Sequence, residues 1–144
     1  MVNIKNFIWI FPVLGGILTI IALFFPAAYF EITNYPVWMV GYNDETGWLK
    51  SVADLALGII IVLIIFGASI ILVYTGIKSF KGEAATKLWS ILASVIIILS
   101  VIWIVAIEGN EAFSWRVFNP GFGIIAPFIG ACIVLVGTIL GSII

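Results

Sequence analysis

Four stretches of the sequence, residues 7–25, 55–77, 88–107 and 121–144, contain no charged side chain. They run for 19, 23, 20 and 24 residues. At about 1.5 Å of rise per residue, each is long enough as a helix to cross a hydrocarbon layer of about 30 Å. All four are apolar on every face, so amphipathic periodicity does not identify them as helices and their length has to. A membrane β-barrel would need short segments of alternating polarity, which are absent here. The runs therefore predict an all-α membrane protein, a four-transmembrane-helix bundle forming a single domain over residues 1–144. Too little chain remains outside them for a separate soluble domain.

Composition supports this. Hydrophobic residues make up 64% of the chain and charged residues 9%, with a mean hydropathy of +1.32. A soluble domain has about 45–50% apolar and about 25% charged residues, so this chain lacks the polar surface to cover a water-soluble globule. Disordered, collagenous and disulfide-scaffold readings are excluded as well. The first run, with Lys5 ahead of it and Pro26-Ala27-Ala28 behind it, has the outline of a signal peptide. It is long for such a segment, and proline disfavours cleavage there, so it reads as a retained helix.

Charge divides the connecting segments. Lys5, Lys78, Lys81 and Lys87 fall on one side with Glu83. Lys50 and Arg116 fall on the other, with Glu31, Asp44, Glu45, Asp54, Glu108 and Glu111. The lysine excess in short loops places the 78–87 loop and both termini in the cytoplasm, and the 26–54 and 108–120 loops outside. A multi-pass protein of the plasma or cytoplasmic membrane is expected.

The first outer loop is the one long enough to fold. Residues 29–33 and 37–42 are rich in strand formers, and Asn34-Tyr35-Pro36 and residues 43–47 read as turns. A small β-hairpin lying on the helix ends is expected, marginal by itself and completed by packing. Aromatic residues crowd this side, among them Trp38, Tyr42, Trp48, Trp115 and Phe118. They read either as an interfacial belt or, together with Asn119 and Pro120, as a contact surface for another protein.

In the fourth run Gly123, Gly130 and Gly137 recur every seven residues, and Gly137 and Gly141 form a GxxxG pair. Such a stripe lets helix backbones approach closely, within one bundle or between subunits. Pro127 is expected to bend this helix. Ser51 and Asp54 fit a capping box at the start of the second helix, and Asn119-Pro120 fits an N-cap followed by proline at the first helical position. Cys132 reads as a small packing residue. Lys78, Lys81 and Lys87 read as topology determinants with some attraction for anionic lipid.

Catalytic chemistry is not assembled by these residues. There is no histidine, a single cysteine, and no acid or base inside any apolar run. Imidazole catalysis, haem ligation, paired-cysteine redox chemistry and the embedded carboxylate of a proton-coupled transporter have no residues to carry them. No nucleophile–base pair, phosphate loop or metal cluster is visible. A non-enzymatic protein without cofactor, metal or nucleic-acid partner is expected.

Several short stretches share one likeness. Residues 15–26 form a glycine-containing first helix closed by Pro26, and Gly47-Trp48 lies in the first outer loop. Val117-Phe118-Asn119-Pro120 precedes the last helix, which carries Ile129-Gly130-Ala131 with Gly137 and Gly141. With the four-span layout, these resemble the claudin and peripheral myelin protein superfamily. The family's two loop cysteines are absent, the first loop is shorter, and the basic residue near the family's second helix has no counterpart. The resemblance implies a β-structured first outer loop and proteins that polymerise side by side and meet partners across a gap between cells. It also implies that Trp48 wedges the loop against the bundle and that Phe118, Asn119 and Pro120 shape the second-loop contact. The expected function is therefore structural or adhesive, through self-association in the membrane. An accessory subunit of a larger membrane complex and a small oligomeric channel are the alternatives, with membrane lipids and a second copy or foreign subunits as partners.

Overall fold

In the computed structural model, residues 4–30, 36–38, 42–43, 47–48, 52–108 and 118–143 are described. A short 3-10 turn over Ile4–Phe7 leads into helix α1, Ile10–Leu23. Helices α2, Val52–Ser79, α3, Thr86–Glu108, and α4, Phe122–Ile143, follow. The last three contain stretches of 22, 20 and 22 residues that are long and apolar enough to cross a membrane, and they mark the chain as a membrane protein. As a regular α-helix, α1 has only 14 residues. Two prolines take different places along the helices. Pro12 lies in the first turn of α1, where no N–H is needed, whereas Pro127 lies inside α4 and removes one ladder bond.

The helices form a ring of contacts: α1 packs on α2 and α4, and α3 packs on α4 and α2. Inward positions follow helical spacing, with Ile61, Ile65, Ala68 and Leu72 on α2 and Trp89, Ala93, Ile96 and Trp103 on α3. Residues facing out of the bundle are large and apolar, including Leu63, Ile91, Ile98 and Val105. Lipid suits this surface, whereas water would not tolerate so continuous an apolar coat. Cys132 is exposed on this outer surface, which corrects its reading as a packing residue. Its neighbours Ala131 and Val134 are the ones that turn inward.

Among the described residues the expected small β-hairpin is not seen as a unit of its own. Five very short strands, β1 Ala28–Phe30, β2 Pro36–Val37, β3 Tyr42–Asn43, β4 Gly47–Trp48 and β5 Phe118–Pro120, pair antiparallel in the order β4-β3-β2-β1-β5. The fullest ladder joins two segments far apart in the chain: Ala28 lies opposite Pro120, Tyr29 opposite Asn119 and Phe30 opposite Phe118. Two strands alone leave most of their backbone polar groups unpaired, and β5 supplies a second partner for β1.

This pairing also displaces the expected cap. Asn119 and Pro120 belong to β5, and α4 begins at Phe122. Backbone carbonyls across the ladder take over the capping. Gly121 donates its N–H to the Ala27 carbonyl (2.8 Å), and Gly123 donates to the Pro26 carbonyl (2.9 Å). At the start of α2, Ser51 lies outside the described residues and Asp54 is placed only by its backbone, within the first turn.

Candidate functional site: the sheet and the helix seams

Two of the aromatic candidates, Trp48 and Phe118, lie in the edge strands of the sheet. On one side Tyr42 in β3 lies opposite Trp48 in β4, and β4 is the edge strand. On the other, Phe118, Asn119 and Pro120 make up the edge strand β5. Proline fits such a position because it cannot donate to a further strand. An edge strand presents unpaired backbone groups in a row, the natural template for adding another chain.

Trp38 has a different place. Its indole N–H donates to the Phe24 carbonyl at 3.3 Å, at the C-terminal end of α1, where carbonyls lack helical partners. The residue that follows β2 is thus tied to the first helix within the chain. Trp115 lies outside the described residues.

Below the sheet, the glycines of α4 lie against the same chain. A Cβ built on Gly130 would stand 2.6 Å from the Thr19 hydroxyl and 2.7 Å from the Gly15 carbonyl oxygen, so α1 and α4 touch backbone to backbone. Gly123 lies under Phe25 and Pro26, Gly137 under Phe11, and Gly141 against Thr86 and Ile8. On its other flank α1 meets α2 through Gly16, which faces Val73 and the Ser69 carbonyl, and through Gly76, which faces Pro12, Val13 and Trp9. The adjacent pair Gly15-Gly16 therefore serves both neighbours of α1. Sequence reasoning did not single out these two residues as packing residues, although the doubled glycine in an apolar run was the available signal. Gly67 is different, because nothing lies within 4 Å of its built Cβ.

Hydroxyl groups along the spans bond back to their own helices. Thr19 donates to the Gly15 carbonyl (2.8 Å), Ser69 to Ile65 (2.7 Å), Ser94 to Ser90 (2.8 Å) and Ser100 to Ile96 (2.8 Å). Among the described residues no buried side-chain nitrogen or oxygen lacks a partner. Trp89 on α3 is fully buried. Its indole N–H donates to the Thr75 hydroxyl on α2 at 2.9 Å, a polar link between helices in an apolar setting. This arrangement suits a solid bundle carrying a backbone-knit platform on one end. Comparison with family models, with curated proteins and with solved structures finds no match to the chain.

Proposed function

We propose that this chain is a non-enzymatic structural protein of the membrane, with the outer sheet as its working surface and the helices as its anchor. In this reading copies associate side by side and contact partners across a gap, as the claudin-like resemblance implies. The observation that carries it is the β1–β5 ladder, which joins two distant outer segments into one surface with strand edges at both ends. A bundle whose buried hydroxyls bond to their own helices supports an anchoring role and weighs against a polar conduit through the chain.

All four helices cross the bilayer in this proposal. Support comes from the α1–α4 seam, along which Ile8 meets Gly141, Phe11 meets Gly137, Gly15 meets Gly130 and Phe25 meets Gly123. Those α4 positions extend over about 27 Å of helix, so the segment containing α1 is as tall as a membrane-spanning helix. Both termini then share the cytoplasmic side with the lysine-bearing loop.

Vesicle clustering tests the function. Liposomes bearing the chain with its sheet outward should aggregate as protein density rises, and Trp48→Ala should weaken the clustering. Clustering absent at every density would sink the adhesive reading. A second reading, an accessory subunit, is favoured by Gly67, a notch between the exposed Leu63 and Ile70 with no neighbour over it. Native mass spectrometry separates the two: multiples of the 15.7 kDa chain support self-assembly, and reproducible foreign subunits support the accessory role.

A further inference from the structure

At the end of the bundle where α2 turns toward α3, a cavity of ≈ 450 Å³ is lined by Trp9, Ile77, Lys78, Phe80 and Lys81. Its wall is apolar. The Trp9 and Phe80 rings meet edge to face at 5.2 Å, and Ile77 and Phe80 are 57% and 61% exposed. Two cations stand at its rim, since Lys78 and Lys81 are both exposed.

Neither lysine is needed to close the helix. Phe80 donates its N–H to the Ile77 carbonyl (3.2 Å), Lys81 to Lys78 (3.3 Å) and Gly82 to Ser79 (3.2 Å), so backbone satisfies these last carbonyls of α2. Among the described residues no ion pair engages either ammonium group, although Glu83 lines the adjoining cavity with them. One turn deeper, Tyr74 is 64% exposed, a residue type that settles at the membrane–water interface.

We propose that this groove binds one anionic phospholipid, with its phosphate between Lys78 and Lys81 and the upper part of an acyl chain against Ile77 and the Trp9–Phe80 pair. Charge selects the occupant. Two ammonium groups without an ion pair among the described residues favour a headgroup of net negative charge, and the aromatic wall beneath them takes a chain rather than water. Scattered lysines at a membrane surface attract anionic lipid diffusely, and the apolar wall is what makes this position a site. Lys87 provides the contrast, because its cavity is lined by Thr86, Ser90, Thr138, Ile139 and Ser142 without an aromatic residue. The inference does not depend on the adhesive reading.

Native mass spectrometry of the full chain tests it, in detergent containing equal amounts of phosphatidylglycerol and phosphatidylcholine with identical chains. One phosphatidylglycerol should be retained in preference. Lys78→Gln with Lys81→Gln should lower that preference about thirty-fold, each single change about five-fold. Lys87→Gln should leave it unchanged, and Phe80→Ser should weaken retention several-fold. Equal retention of both lipids overturns the proposal, as does a loss with Lys87→Gln as large as with either rim lysine, which marks diffuse attraction. Displacement of the lipid by millimolar glycerol phosphate also overturns it, because a free phosphate would then suffice.

Discussion

Glycine has opposite meanings at two positions of this bundle. At Gly130 an added methyl group meets the Thr19 hydroxyl at 2.6 Å and the Gly15 carbonyl oxygen at 2.7 Å. Backbone cannot swing aside as a side chain can, so α1 and α4 must separate. Gly130→Ala is expected to destabilise the protein by about 1–3 kcal/mol. At Gly67 the methyl group enters open space, and replacing glycine inside a helix removes backbone freedom from the unfolded chain. Gly67→Ala is expected to stabilise by about 0.5–1 kcal/mol. Thermal unfolding in one detergent reads both, and shifts of the same sign would mean that the seam is misassigned. The seven-residue recurrence of glycine in α4 was visible in the sequence, because a stripe is a local pattern. Which surface the stripe meets was not, since that depends on how α1 folds back. The same reason hid the outward position of Cys132, whose neighbours on either side differ little from it in polarity.

At the scale of elements, the long helices were legible because uncharged length alone forces them. The sheet was legible only as strand-forming composition near residues 29–42. Its main ladder joins β1 to β5 from the far end of the chain, and two- and three-residue strands leave no alternation from which to read pairing. Cross-linking tests that ladder. In a Cys132→Ser background, Tyr29→Cys with Asn119→Cys should form an intramolecular disulfide under mild oxidation, because directly opposed residues hold their Cβ atoms about 4.5–5.5 Å apart. Failure to form it, against ready formation with a cysteine outside β5, would disprove the register. Between α2 and α3 a hydrogen bond adds to the apolar packing. Trp89 donates to Thr75, which itself donates to the Ile71 carbonyl at 2.7 Å. A double-mutant cycle with Trp89→Phe and Thr75→Val should give a coupling of about 0.6–1.7 kcal/mol. A coupling indistinguishable from zero would mean that the bond contributes nothing to this seam.

For the whole molecule, the decisive geometry is how far the first segment reaches. As an α-helix α1 has 14 residues, about 21 Å, and taken alone it stops short of a hydrocarbon layer about 30 Å thick. The 3-10 turn at Ile4–Phe7 lies ahead of it, and beyond it Phe24 and Phe25 donate back to Ile21 and Ala22. The wound backbone therefore exceeds the regular helix at both ends. Contacts to α4 at Gly141 and at Gly123 place those ends level with the two ends of a spanning helix. A re-entrant first segment would instead leave one end of α4 without its α1 neighbour. The proposed topology predicts a labelling pattern in the Cys132→Ser background, using an impermeant thiol reagent on sealed membranes. Cysteines at Asn6 and Ala84, which line one cavity at the lysine-bearing end, should react from the same side. A cysteine at Asn43 in β3 should react only from the opposite side. Labelling of Asn6 together with Asn43 would remove the first crossing and reverse the N-terminus. The sheet would then no longer stand opposite both termini, and the side-by-side assembly proposed for it would lose its geometric basis.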